Sequence, residues 1–202
     1  METSVLLPKY ESIKRAHGTD NIRNMTVLTK QNKPVELRRF TNDDIEHLLI
    51  YLHQLSPATA KRFQPHPFHK EEVINFHNDP EHEAWISVDT ATKKIIAYTV
   101  LKKGYLHHDY PRLQQYGVAI SYDHCYTIAP SVTDQWQSTG VGQLLFDHVL
   151  SEIKNRNVKQ LILWGGVQVD NFKAVRFYQK NGFRSLGHFQ YNGLNEDMLL
   201  PL

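Results

Sequence analysis

Between HCYTIAPSV and LLFDHVLSEI the chain places QSTGVG, residues 137 to 142. The first flank has the β-branched and apolar content of a strand. The second begins a helix from about residue 142 to 155, with Leu144, Leu145, Val149 and Ile153 turned toward a core. A strand that passes through two glycines into a helix commits the chain to an α/β arrangement. It also leaves several helix N–H groups without an intrahelical partner. Together with the helix dipole, those groups make a site for phosphate. Two familiar phosphate loops are excluded, because no Gly-Lys-Ser/Thr follows and no third glycine comes two residues after Gly142. As a bare pattern the stretch reads equally as a tight turn or as an anion site.

With 202 residues, one sizeable domain with its own core is expected. Hydrophobic residues at 41% and charged residues at 22% are ordinary for a globular protein. A net charge of +2 and the lack of any Lys/Arg block speak against nucleic acid. METSVLLPKYESIKR does not read as a secretory signal, and no run has the length of a membrane span, so no membrane partner and a cytoplasmic location are expected. The single Cys125 excludes an internal disulfide.

Residues 1–24 read as an irregular leader and 25–202 as one domain. Two β runs span about residues 25 to 40. An amphipathic helix follows, with Thr41 or Asn42 as N-cap and Ile45, Leu48, Leu49, Leu52 and Leu55 at helical spacing. SPATAKRF and HKEEVINFHN predict two short helices, and AWISVDT and KKIIAYTVLKK adjacent strands. Residues 104 to 123 carry no clear period. Pro130 cannot donate to a ladder, so an edge or a bulge is expected there. KQLILWGGV predicts a buried strand, NFKAVRFYQKNG a helix capped by Asn171 and stopped at Asn181-Gly182, and FRSLGHFQY and LNEDMLL two last strands.

QSTGVG resembles the Gln/Arg-x-x-Gly-x-Gly/Ala signature of the GNAT N-acetyltransferase superfamily, and VDNFKAVRFYQKNGF is similar to that family's Asn-x-x-Ala-x-x-(Phe/Leu)-Tyr-x-x-x-Gly-Phe segment. The resemblance covers roughly residues 25 to 200. It implies a mixed, mostly antiparallel α/β sheet splayed at a β-bulge, with helices on both faces. It also implies acetyl-CoA or another short acyl-CoA as co-substrate. Gln137, Ser138, Thr139, Gly140, Val141 and Gly142 would then hold the pyrophosphate, the bulge near Ser131 and Val132 the pantetheine, and Asn171, Ala174 and Phe177 would complete the cofactor side. Strand N–H groups would support the oxyanion. Tyr178 falls at the family's general-acid position; a phenol can return a proton to a thiolate but seldom serves as a base at neutral pH.

VTDQWQSTGVGQLL, with KPVELRRF and LSPATAKRF upstream, is also similar to a bacterial subgroup of that family. There an acid is common on the strand before the loop. The matching position here is Thr127, which cannot act as a base. His124 and Asp123 are the nearby candidates, with His107, His108 and His66 further off. The twelve histidines show no metal-binding spacing, and no metal is expected. Cys125 reads as a small buried strand residue, and Trp136 as packing under the loop.

The family places its acceptor near residues 104 to 126, which here hold Tyr105, Tyr110, Tyr116, Tyr122 and Tyr126 with Arg112 and only two acids. Aromatic platforms and a cation suit a sugar or a phosphate-bearing small molecule better than a polyamine. Tyr105, Arg112 and Tyr126 are therefore expected to bind a small-molecule amine, a nucleotide-linked amino sugar such as a dTDP-3-amino-3,6-dideoxyhexose. Protein lysine acetylation and a non-catalytic acyl-CoA-binding module are the alternatives. Family members often dimerise, so a homodimer is an open expectation.

Overall fold

The computed structural model describes residues 24–202. The leader expected over residues 1–24 lies outside it, apart from Asn24. A hairpin comes first, β1 (Met25–Leu28) and β2 (Pro34–Arg39). Its turn is pinned by buried Thr29, whose Oγ1 accepts the Gln31 and Lys33 N–H groups, and Asn32 takes the left-handed conformation at φ 57°. Helix α1 (Ile45–His53) starts where Thr41 N–H donates to Asp44, a carboxylate also gripped by both guanidinium nitrogens of Arg38 at 2.7 and 2.6 Å. Helices α2 (Pro57–Arg62) and α3 (Lys70–Asn78) follow, then β3 (His82–Asp89) and β4 (Ile95–Lys103). Within the segment that carried no period lies α4 (Tyr110–Gln115). Then come β5 (Cys125–Val132), α5 (Val141–Ile153), β6 (Gln160–Leu163), β7 (Val167–Gln168), α6 (Phe172–Lys180), β8 (Arg184–Gln190) and β9 (Leu194–Pro201).

The strands form one open sheet in the order β1-β2-β3-β4-β5-β6-β9-β7, with β8 also on β9. Every pairing is antiparallel except β5 with β6. Strand alternation sends Ile128 to one face and Ala129 to the other. Ile128 joins Leu37, Trp85, Leu101, Leu161 and Leu163 under α5 and α6, whereas Ala129 joins Ile86, Tyr98 and Val100 under α1 and α3. A third cluster seats Leu113 of α4 on Cys125, Ile162 and Leu199.

The expected bulge near Ser131 and Val132 is not in the β4–β5 ladder. That ladder runs without a shift from Ala97↔Val132 to Lys103↔Tyr126. Register shifts occur instead at Ser87/Val88 and Ser185/Gly187. Opening at Pro130 is achieved on the other side of the strand, by divergence of β6.

Candidate active site

Strands β5 and β6 pair only from Cys125↔Gln160 to Ile128↔Leu163, and the last link is Trp164 N–H to the Ile128 carbonyl at 2.9 Å. Beyond it β6 turns away through Gly165 and Gly166, both at positive φ, and β7 joins β9. β5 continues to Val132 on β4 alone. A wedge therefore opens at Ile128/Leu163. Gly104 N–H donates to the Cys125 carbonyl and Thr133 N–H to the Ile96 carbonyl, so odd-numbered residues of β5 bond to β4. Even-numbered residues turn their main-chain groups toward the wedge. Pro130 thus sits where its missing N–H costs the sheet nothing. The Pro130 carbonyl and the Val132 N–H face the gap.

This parity corrects two expectations. Ser131 does not offer its main-chain groups to the wedge, and its buried hydroxyl is engaged with the Tyr51 hydroxyl at 2.8 Å. Several strand N–H groups were expected for an oxyanion, but beyond the split only Val132 turns an N–H to the gap, because Pro130 has none.

From Val132 the chain runs through a 3₁₀ turn, Asp134–Trp136, into the glycine loop. Gln137 Nε2 reaches back to the Val132 carbonyl and to Asp134, each at 3.5 Å. Ser138 lies at φ 64°, and buried Thr139 donates its hydroxyl to the Trp136 carbonyl at 2.6 Å. Gly140 caps α5 at φ 94°, a conformation that disfavours any side chain. Gly142 is under no such constraint: a Cβ there would lie 3.4 Å from Val132 Cγ2, an ordinary contact that places the first turn of α5 against the lip of β5. The N–H groups of Val141, Gly142 and Gln143 have no intrahelical partner. Of the two glycines between strand and helix, Gly140 is thus explained by backbone, and the result is a set of donors at a helix N-terminus beside an open wedge.

Helix α6 closes the arrangement. Asn171 caps it by accepting Ala174 N–H at 3.4 Å, and Ala174 and Phe177 pack half-buried on the core under the wedge. At its far end Asn181 and Gln143 exchange side-chain hydrogen bonds of 2.6 and 3.1 Å, tying α6 to the first turn of α5. Tyr178 is 8% exposed and belongs to the large core cluster that also holds Ile128, Leu163 and Val141. Its ring meets Phe183 edge-on at 5.2 Å. Burial raises its pKa well above the ordinary phenol value, so it holds its proton at neutral pH, and the same burial disfavours the phenolate that donation would leave.

The sequence profile of the acetyltransferase (GNAT) family matches residues 50–183. The chain belongs to this family. It is accordingly an acyl-CoA-dependent transferase. Among solved structures, the GNAT domain of S. lividans PAT superposes with a TM-score of 0.68 at 17% identity, covering 89% of this chain and 97% of that one. A spermidine N-acetyltransferase chimera from Vibrio cholerae and hSSAT gives 0.59 at 21%, covering 83% and 95%. The ribosomal-protein-S5-alanine acetyltransferase of Vibrio fischeri gives 0.60 at 16%, covering 83% and 91%. At these identities the likeness is one of fold, and the named acceptors differ. No curated protein matches the chain in sequence.

The remaining expected residues of this GNAT domain do not converge on the wedge. His124 lies in a 3₁₀ turn at the start of β5, its Nδ1 3.3 Å from the Asn157 carbonyl. Four residues separate it from Ile128, roughly 13 Å at about 3.3 Å per residue. Asp123 precedes it, and His107 and His108 are exposed. His66 is buried, between the Pro67 carbonyl at 2.8 Å and the Tyr98 hydroxyl at 3.1 Å. Thr127 is buried and donates to the Gly104 carbonyl. Cys125 is buried in its strand, and burial pushes its thiol up to about 12. Among the described residues no three His, Cys, Asp or Glu side chains converge as a metal site. No helix among them is long and apolar enough to cross a membrane.

Arg112 is not free to meet a diphosphate. Its Nε and one terminal nitrogen clasp Asp197 at 2.6 and 3.1 Å, the latter nitrogen also meets Asp109 at 2.9 Å, and the guanidinium lies 3.6 Å over the Phe189 ring. Tyr116 donates to the same Asp197. Burial would lower the Arg112 pKa, but the two carboxylates raise it above its usual range. Tyr105 stacks on Tyr110 at 4.1 Å and stands edge-on to Tyr122, whose hydroxyl bridges Glu81 and Lys102. Tyr126 packs half-buried on the large core.

Sequence reasoning missed the contacts that brace the wedge. Asp134 accepts from Ser56 N–H, Ser56 Oγ and Thr59 Oγ1 at 3.2, 2.9 and 2.9 Å, fastening the N-terminus of α2 to the exit of β5. At the other end of α2, Arg62 donates to Gln168 and Asp170 at 3.1 and 3.3 Å. Helix α2 therefore ties together the two chain segments that diverge at the split. Ser56-Pro57 signals an N-cap in the sequence. Nothing local signals that Asp134, 78 residues on, is its partner.

Proposed function

We propose that this GNAT domain transfers an acetyl or short acyl group from acyl-CoA to the primary amine of a small molecule by direct attack, with Tyr178 as general acid. The observation that carries the reading is the wedge at Ile128/Leu163, with the glycine loop at its lip and Tyr178 in the core cluster to which both residues of the split belong. Bound acyl-CoA would supply a thioester whose carbonyl carbon accepts the amine and whose sulfur departs. N–H groups of the Gln137–Gly142 loop and of the first turn of α5 would bind the pyrophosphate. The Pro130 carbonyl and Val132 N–H would pair with the amides of the pantetheine arm. Tyr178, protonated at neutral pH as any phenol is, would return a proton to the sulfur. With His124 remote and Thr127 committed to Gly104, the attacking amine enters neutral and loses its proton to water.

The finer reading, a nucleotide-linked amino sugar, rests on the stacked Tyr105 and Tyr110 beside Tyr122. Without Arg112 it has no assigned cation for the diphosphate and stands on the aromatic platform. Lysine acetylation in the manner of the bacterial subgroup lacks the acid at Thr127. Incubation with acetyl-CoA and a panel of amino sugar nucleotides, polyamines, amino acids and lysine peptides, read by product mass, is the test. Turnover on the sugars supports the finer reading. Turnover on polyamines or peptides with none on the sugars refutes it.

A further inference from the structure

The β1–β2 turn lies against the glycine loop, and no motif in the sequence relates the two. Lys30 N–H donates to the Thr139 carbonyl at 3.0 Å, so the turn is sewn to the loop through main chain. The Lys30 side chain then runs over Gly140. Its Cγ, Cδ and Cε lie 3.0, 3.4 and 3.5 Å from where a Cβ on that glycine would be. The ammonium is one bond beyond Cε. From the same turn, Lys33 Nζ sits 5.0 Å from the centroid of the Trp136 ring, at the loop's entrance.

This placement is held by the turn itself. Thr29 N–H donates to the Lys33 carbonyl at 3.0 Å, and the Thr29 hydroxyl accepts the Lys33 N–H. Neither lysine forms an ion pair with another described residue, and both are exposed. Asp134, the nearest acid in the loop's approach, is occupied by Ser56 and Thr59.

We propose that Lys30 and Lys33 form a cationic rim that binds phosphate groups of the acyl donor, with Lys30 flanking the loop's N–H groups and Lys33 the outer approach. The inference rests on the reading of Gln137–Gly142 as the phosphate cradle and adds to it a contribution from an element at the opposite end of the sequence. Two lysine charges beside a helix N-terminus strengthen anion binding and make it sensitive to salt.

Calorimetric titrations of the full chain and its Lys30→Gln, Lys33→Gln and double variants, with CoA, 3′-dephospho-CoA and pantetheine, test this. The double variant is expected to bind CoA about tenfold more weakly with a shallower salt dependence. Lys30→Arg should retain most of the affinity, and pantetheine, which has no phosphate, should bind all forms alike. A penalty that disappears with 3′-dephospho-CoA assigns the rim to the ribose phosphate. One that persists assigns it to the pyrophosphate, and either result supports the proposal. Affinities for CoA within twofold across the variants, with unchanged salt dependence, overturn the rim and leave the cradle intact. An unaltered chain that fails to bind CoA overturns both.

Discussion

The two ends of β5 are built by different means. At the Val132 end the chain works with backbone: a proline that spares a ladder, a parallel neighbour that leaves after Leu163, and a glycine required at Gly140 by φ. At the Cys125 end it works with side chains: Arg112 on Asp197 and Asp109, Tyr116 on Asp197, and Tyr122 on Glu81 and Lys102. The first end leaves main-chain donors and acceptors open. The second satisfies its polar groups internally. On the proposed function, the fold keeps unpaired backbone where the acyl donor would lie, and fills the remainder.

The sharpest way to break this comparison is at Tyr178. Tyr178→Phe keeps the ring's packing and removes the proton donor. It should lower kcat by about 10²–10⁴-fold while acetyl-CoA binding changes little. Pre-steady-state measurement of acyl transfer reads the chemical step directly, and near-normal transfer would reduce Tyr178 to packing.

At the other end the expected effect is on stability. Asp197 has 1% of its side chain exposed, and Asp197→Ala leaves Arg112 without its main partner. The expected cost is about 1–3 kcal/mol in a denaturant titration, since Arg112 keeps Asp109 and some contact with solvent. Acetyl-CoA affinity, measured where the variant is folded, should be unchanged. A stable variant with weakened acetyl-CoA binding would show that the ion pair belongs to the donor site after all.

A pH-dependent effect concerns the helical layer over Ala129. His77 Nε2 lies 2.9 Å from the Tyr98 hydroxyl, which also meets His66. Burial lowers the pKa of both, that of His77 to about 3 from an ordinary 6.5. The unfolded chain therefore binds protons below about pH 6.5 that the folded chain refuses. Stability should be full above that pH and fall as the pH drops toward 3, with His77 accounting for about 2 kcal/mol of the loss at pH 5. His77→Gln should flatten the melting-temperature profile between pH 7 and 5. An equally steep profile would assign the loss to other groups.

What was legible in the sequence follows the same division. Strand–glycine–helix and the Asn171 cap are local patterns, so the donor side could be read from a few adjacent residues. The bulge expected at Pro130 was a sound inference from a missing N–H but assigned the opening to the wrong ladder, because the departure of β6 is a property of a strand 30 residues later. Arg112 looked like a free cation since Asp197, its partner, is 85 residues away. His124 was chosen for its intrinsic pKa and its nearness in sequence to the loop. Strand geometry, at about 3.3 Å per residue, makes that nearness a distance. Lys30 and Lys33 went unremarked for the same reason as Asp134: their significance comes only from what the sheet brings beside them.

The central claim is that the loop at the open end of β5 holds the acyl donor through its backbone. Titration calorimetry of acetyl-CoA into the unaltered chain and into Gly140→Asp tests it most directly. An aspartate there meets a backbone at φ 94° and the Lys30 stem, and sets a negative charge at the proposed phosphate site. With the fold checked by circular dichroism, we expect one acetyl-CoA per chain for the unaltered protein and affinity lowered at least about tenfold in the variant. Equal affinity in two folded proteins would contradict the account.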